Sequence, residues 1–381
     1  MENSTLRRHS SLAQSHHLNE QMTGLLERMQ VHHPALDHLS FALYDDRDHL
    51  LRSYADSTSL SLNITHYEAP LSSLPTLRQS LQSRSPVILT HLTTLRRSPH
   101  IESLLRDGYR SSATIPTFIH DRFLGFIFLN SYQESAFTAA VLDTLKPYLE
   151  MMRLSIFSEY QLVDTLINCA CKHAAQFPLY QRESRAHKQR VASFTHVIAT
   201  GLALKYDLDD ETIEHLSLFS QYHDIGKVTL PAELLCKPGK LTEVELATLR
   251  EHVQAGEAII HEFIEQAGAS GHPSAELFLQ IIAHHYEFLD GSGYPRHLKG
   301  NEIPLAARIV CVANIFDALI THRPYKQASS ILYALLELEK MVQMGKLDRD
   351  CVNALREHQI ELKAISERYP ELDPSERATT N

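Results

Sequence analysis

The residues best suited to chemistry lie in the second half of the chain. His223 and Asp224 are adjacent in the run Tyr222-His223-Asp224-Ile225-Gly226-Lys227. An imidazole nitrogen and a carboxylate side by side can reach one cation, and the second carboxylate oxygen is available to bridge to another. Such a pair means little alone. Upstream, Glu183 and His187 stand four apart and would project from one helix face. Downstream come His252 and the doublet His284-His285, then Asp290-Gly291-Ser292-Gly293-Tyr294-Pro295, a flexible loop with a rigid exit. An isolated histidine on an apolar helix is usually a hydrogen-bonded core residue. Five histidines and two carboxylates on successive helices are different, because burying so many ionisable groups without a cation is costly. The pattern points to a metal centre. Mixed imidazole and carboxylate ligands suit iron or manganese, and spacing alone leaves zinc open. Two such metals make hydroxide available at neutral pH and neutralise phosphate oxygens, which is what hydrolysis of a phosphodiester requires. Lys227, Arg323 and Lys326 would supply positive charge besides the metals. Arg323 and Lys326, three apart, could clamp phosphates, although by themselves they read as an exposed basic turn.

Helices must carry these side chains. From about residue 184 the pattern is all helical: Ser184 to Tyr206 with Val191, Phe194, Ile198 and Leu202 on one face, then Asp210 to about Gly226, which would place the His-Asp pair at a helix end. Thr242-Glu243-Val244-Glu245 is a capping box that opens the next helix. Further helices are expected over about Ser274–Phe288, Ala306–Leu319, Ser329–Met341 and Arg349–Tyr369. The first half reads differently. A helix over about 18–30 precedes an α/β region in which Phe41–Tyr44 with Leu50–Tyr54, and Thr114–Ile119 with Phe123–Leu129, form hairpins, and Pro86–Leu89 forms a short strand. Val141, Leu145, Tyr148, Leu149 and Met152 then recur at helical steps through a long connecting segment, Phe137 to about Gln176. The expected class is α+β: a polar leader over 1–18, an α/β domain over 19–150, a helical linker over 151–182 and an all-α domain over 183–381.

Two resemblances follow from these patterns. The hairpins, central helical connection and closing strand pair before a long helix resemble a GAF sensory domain, over about 110 residues and without a diagnostic motif. That resemblance leaves a small-molecule ligand pocket and a purely dimerising role equally open. In the second half, His223-Asp224-Ile225-Gly226-Lys227, Lys237-Pro238-Gly239-Lys240-Leu241, His284-His285, Gly293-Tyr294-Pro295, Ile303-Pro304-Leu305-Ala306-Ala307-Arg308-Ile309 and Arg323-Pro324-Tyr325-Lys326 resemble the HD-GYP family in order and spacing. The resemblance implies a bacterial signalling phosphodiesterase that hydrolyses cyclic di-GMP to pGpG or GMP at a bi- or trinuclear iron or manganese centre. Position by position it implies the metal ligands His187, His223, Asp224, His252, His284 and His285, with Glu183 as the extra carboxylate of trinuclear members. It gives Asp224 and Lys227 catalytic roles, and Lys227, Tyr294, Arg323 and Lys326 contacts to substrate. One position departs from the family. Where its last ligand is an aspartate, this chain has Asn314, a neutral oxygen that offsets no metal charge. An impaired, metal-containing receptor for the dinucleotide is therefore the alternative to an active enzyme.

Bulk properties narrow the setting. At 381 residues two domains are expected, and a formal charge of -10 argues against a protein that coats DNA or RNA. No stretch approaches the roughly 18–20 unbroken apolar residues of a membrane span. Five cysteines without framework spacing, and no apolar stretch in the first thirty residues, point to the cytoplasm. The long connecting helix would allow a parallel homodimer.

Overall fold

The computed structural model describes residues 17–45, 49–57, 68–119, 121–177, 185–237, 239–321 and 330–370. Two compact units meet within one long helix, at Gln161 and Leu162.

The first unit is α+β, as the sequence pattern indicates. Helix α1 (His17–His32) leads into the hairpin β1 (His38–Asp45) and β2 (Leu50–Asp56), and the short edge strand β3 (Glu68–Pro70). Next come α2 (Pro75–Ser83), β4 (Val87–Leu89), α3 (Pro99–Arg106), the hairpin β5 (Ser111–Ile119) and β6 (Arg122–Ser131), and the long helix α4 (Ala139–Ala175). The strands form one antiparallel sheet in the order β3-β2-β1-β6-β5-β4. Because successive side chains alternate across a strand, the two sheet faces carry different chemistry. Leu39, Phe41, Ala113, Ile127 and Leu129 bury one face in a cluster with Met22 and Met29 of α1 and Leu145 and Met152 of α4. The opposite face holds Ala42, Leu51, Phe126 and Phe128, and at one end a set of buried polar groups. Short elements missing from the sequence reading, β3 and α2, are only three and nine residues long, too brief for periodicity to register.

The second unit is helical. The last turns of α4 pack with α5 (Arg185–Tyr206), α6 (Asp210–Ser220), α7 (Ala232–Leu235), α8 (Glu243–Arg250), α9 (His252–Gln266), α10 (Pro273–His284), α11 (Leu305–Ile320), α12 (Ile331–Gln343), α13 (Arg349–Glu357) and α14 (Gln359–Arg368). The capping box of α8 is complete: Thr242 Oγ1 accepts from Glu245 N at 3.3 Å, and Thr242 N donates to Glu245 at 2.7 Å. Lys237, from the Lys-Pro-Gly-Lys motif, pairs with the same glutamate at 2.6 Å, so that motif braces a helix start.

Three helices are shorter than their periodicity suggests, and α10 stops at His284 rather than Phe288. α6 stops at Ser220, and His223 and Asp224 stand on the turn that follows, before a 3-10 turn at Ile225–Thr229. The chain leaves the helix so that Gly226 can lie flat against the start of α9, where a Cβ would collide with the backbone of His252 and Gly256. The C-terminal helix divides at His358, whose ring bonds the Ala354 carbonyl at 2.7 Å and whose backbone (φ -112, ψ 31) leaves helical geometry.

Phe278 of α10 is fully buried and stacks on Phe219 of α6 with ring centroids 4.4 Å apart. Truncating it removes that contact and leaves a cavity between the two helices that frame the His-Asp turn. Phe278→Ala should cost about 3–5 kcal/mol in urea unfolding. A loss below about 1 kcal/mol would show that this layer repacks freely.

Candidate metal centre

Four of the side chains singled out by sequence meet at one buried point. Asp224 is 2% exposed, and His223, His252 and His285 are each 1% exposed. Asp224 Oδ1 lies 2.9 Å from His252 Nε2 and 3.4 Å from His285 Nε2, and Oδ2 lies 3.2 Å from His223 Nε2. The ligand atoms of His223, Asp224 and His285 all fall within 4.8 Å of one another.

The other ring nitrogens decide what this cluster can do. His223 Nδ1 faces the Ser220 carbonyl at 2.8 Å, His252 Nδ1 the Leu249 carbonyl at 2.5 Å, and His285 Nδ1 the Ile281 and Ile282 carbonyls at 3.0 and 3.1 Å. A carbonyl only accepts, so each Nδ1 must carry the proton. In the neutral tautomer each Nε2 is then a bare lone pair aimed at a carboxylate. Acceptors crowded together out of water repel unless a cation sits among them, and imidazoles locked in this way are the usual arrangement of metal-binding histidines. Burial pushes the His285 imidazole down from 6.5 to about 4, which keeps it neutral. Burial alone would raise the Asp224 carboxyl, but Lys227 and His223 beside it outweigh that and hold it well below the usual carboxylate range. Lys227 Nζ stands 2.5 Å from Asp224 Oδ2. The residues present fit a divalent metal.

His187 joins the edge of the cluster, its ring 5.6 Å from that of His223. It is oriented by Asp317 of α11, which takes His187 Nδ1 at 2.7 Å and Arg190 Nε at 2.5 Å. Arg190 is itself buried and also donates to the Tyr369 carbonyl at 2.7 Å. Asp317 therefore acts as the partner that fixes His187, consistent with its belonging to a different position from Asn314. Asn314 lies half-buried on α11, one turn before Asp317.

His284 stands apart from the others. Its Nε2 is 3.1 Å from Arg296, which in turn pairs with Glu257 at 2.6 Å. Burial, and then Arg296, lower its imidazole to about 4. Tyr294 stacks on Tyr286 at 4.9 Å, and Tyr286 lies against His285 at 4.4 Å and His252 at 5.4 Å. Arg250 rests over the outer face of Tyr294 at 5.2 Å. The loop that holds Tyr294 is pinned by buried Glu287, which accepts from Arg296 N at 2.6 Å and Leu298 N at 3.1 Å. Gly293 lets this loop lie against residues 286–288, where a side chain would collide with the backbone. Glu183, Arg323 and Lys326 lie outside the described residues.

Arg190, Glu257, Tyr286, Glu287, Arg296 and the orienting role of Asp317 escaped the sequence reading. Each acts through another residue rather than through a recognisable motif of its own.

Residues 168–351 match the family model described as HD domain. The helical unit is an HD domain. Curated relatives match about half of this chain. The Xanthomonas campestris pv. campestris "Cyclic di-GMP phosphodiesterase response regulator RpfG" is 38% identical over 177 residues, 45% of this chain and 43% of that protein. The Thermotoga maritima "Cyclic di-GMP phosphodiesterase" is 32% identical over 194 residues, 51% of this chain and 49% of that protein. The Vibrio cholerae "3'3'-cGAMP-specific phosphodiesterase 2" is 36% identical over 191 residues, 50% of this chain and 34% of that protein. The chain thus spans less than half the length of these relatives. Among solved structures, the "GAF domain/HD domain protein" from Geobacter sulfurreducens covers 36% of this chain and 91% of its own, at 14% identity and a TM-score of 0.31. The fold of the first unit is defined by its strand order, β3-β2-β1-β6-β5-β4. No helix among the described residues is long and apolar enough to cross a membrane.

The tautomer lock has a pH consequence. With a folded value of about 4 against 6.5, His285 stays neutral in the folded HD domain while the unfolded chain takes up a proton as pH falls below 6.5. Stability should therefore be level above pH 6.5 and decline towards pH 4, with His285 alone removing roughly 2 kcal/mol by pH 5. The low carboxyls of Asp224 and Asp317 add a further loss when they protonate at still lower pH. Urea titration of the metal-stripped protein at pH 7 and pH 5 measures this. Burial lowers His284 and His100 to about 4 as well, so both add to the decline, and equal stability at both pH values would mean that these imidazoles are charged in the fold.

Proposed function

We propose that the HD domain hydrolyses a phosphodiester bond of a cyclic dinucleotide, cyclic di-GMP in the first instance, giving pGpG and then GMP. The observation that carries this reading is the convergence of three tautomer-locked Nε2 atoms on Asp224, with the Lys227 ammonium beside it. The names of the relatives add the substrate class. His187, His223, Asp224, His252 and His285 would hold two or three divalent ions, iron or manganese by ligand type, with His284, Asn314 and Glu183 as outer members of the set. Bound metal supplies positive charge for the phosphate oxygens and a water of lowered pKa.

The chain's own residues do the rest. Asp224 turns Oδ1 towards His252 and His285 and Oδ2 towards His223, so both oxygens would be available to hold metal. The Lys227 side chain is 23% exposed at the edge of the buried pair and presents its charge to an incoming phosphate while steadying Asp224. Tyr286 and Tyr294 wall the cluster on one side, with the Tyr294 ring held between Tyr286 and the Arg250 guanidinium, whose charge would face an incoming phosphate. Arg323 and Lys326 would complete the phosphate clamp. The first unit would then act as a sensor that regulates turnover by taking up a small molecule, and the long α4 would pair two chains as a homodimer.

Full-length protein loaded anaerobically with iron or manganese should convert cyclic di-GMP to pGpG and GMP, followed by chromatography. Asp224→Ala should lower turnover by at least ~100-fold, since loss of even a residue supporting a metal ligand costs ~10–100-fold. Absence of turnover at full metal occupancy would contradict the enzyme reading. If dinucleotide still binds, and Asn314→Asp then gains turnover, the chain is a receptor whose neutral Asn314 limits catalysis.

A further inference from the structure

The loop that follows α10 carries Tyr294 against the Asp224 cluster, and three of its main-chain bonds run back to its own stem. Tyr294 N donates to the Tyr286 carbonyl at 3.1 Å, and Arg296 N and Leu298 N donate to Glu287 at 2.6 and 3.1 Å. Tyr286 and Glu287 lie just past His284, the last residue of α10. These bonds give the loop its shape. They do not fix its place relative to α9, the helix that begins with His252.

The Arg296 side chain supplies that link, because it reaches two helices. Nη2 donates to Glu257 Oε1 of α9 at 2.6 Å, and Nη1 donates to His284 Nε2 of α10 at 3.1 Å. A guanidinium only donates, so His284 Nε2 is the accepting nitrogen and the ring proton lies on Nδ1. While Arg296 holds it, His284 has no lone pair to give a metal, and it would join the metal set only on release. Glu257 stands five residues after His252 on the same helix, so the ion pair ties the loop to the element that brings His252 to Asp224.

The arm between clamp and wall is short. Arg296 is two residues from Tyr294, and the closed ring of Pro295 between them removes one backbone rotation. Tyr294 stacks on Tyr286, whose ring lies against both His285 and His252. The energetics suit positioning rather than stabilisation. The Arg296 side chain is 44% exposed and that of Glu257 19%, and an ion pair so close to water adds little to overall stability. Its contribution is directional: a planar guanidinium with one acceptor on each of two helices sets the orientation of the loop as well as its distance.

We propose that Arg296 is a positioning residue for the candidate active site, clamping the loop to Glu257 and His284 so that Tyr294 stands in the wall that an incoming dinucleotide meets. The proposal deepens the phosphodiesterase reading and rests on it for its kinetic consequence alone.

Hydrogen–deuterium exchange of the full-length, metal-loaded protein reads the clamp without turnover. Arg296→Gln should speed exchange of the amides of residues 288–298 by roughly tenfold or more, while α9 and α10 exchange as in the wild type. With cyclic di-GMP the same variant should raise KM by roughly fivefold or more with kcat and metal content little changed, since the clamp places the wall and not the metal. Glu257→Ala should act in the same direction. Removing a carboxylate near an anionic substrate would by charge alone strengthen binding, so a raised KM is the mark of lost positioning. Wild-type exchange in the loop of Arg296→Gln, loss of metal from that variant, or a KM that stays level or falls in Glu257→Ala would each overturn the proposal. If Arg296→Gln does not fold, Glu257→Ala carries both measurements with the same expected results. If the wild type turns nothing over, the phosphodiesterase reading fails and the exchange result alone decides the clamp.

Discussion

Everything in the HD domain depends on one electrostatic conflict. Asp224 is buried, and three imidazoles point nitrogen lone pairs at it because their Nδ1–H groups donate to main-chain carbonyls. Left alone, this is an assembly of acceptors crowded beside the Lys227 ammonium. A cation resolves the conflict, and the geometry sets its chemistry: neutral imidazoles plus one low-lying carboxylate make a site for a divalent transition metal rather than for calcium or magnesium. The protein spends stability elsewhere to maintain that arrangement.

The supporting structure follows from the same need. α6 ends early so that the His-Asp turn can face inward, and Gly226 removes the side chain that would keep α9 and His252 at a distance. Gly293 does the same for the loop carrying Tyr294, and Glu287 ties that loop down through two backbone donors. Asp317 and Arg190 form a buried ion pair whose evident purpose is to aim His187. Breaking one partner of such a pair costs several kcal/mol, because the other charge is left stranded. The ligands are thus held by contacts that are individually stabilising and collectively specific.

The side chains of the Asp224 cluster were legible in the sequence because metal ligation would demand particular residue types, and those types are rare in apolar helices. His223, Asp224, His252 and His285 stand out for that reason. The supporting residues were not legible: Glu287 and Arg190 resemble any surface charge until the fold buries them, and Tyr286 resembles any aromatic. Helix periodicity located α5, α10 and α11 within a few residues, since their buried faces repeat over three or more turns. It ran past the ends of α6 and α13, where close backbone approach and a histidine ring, rather than hydrophobic pattern, stop the helix. In the first unit the hairpins announced themselves by alternation. The hydrogen-bonded set of His38, Asp56 and Asn130 did not, because these residues lie on three strands and meet only through strand register.

The central claim is that the Asp224 cluster is built around a divalent metal. Elemental analysis of the desalted full-length protein, after anaerobic loading with iron or manganese, tests it most directly. The account predicts at least one tightly held ion per chain in the wild type, and its loss in Asp224→Ala with the helical circular dichroism spectrum intact. A folded wild-type protein that retains no metal, or an Asp224→Ala variant that retains as much, would contradict it.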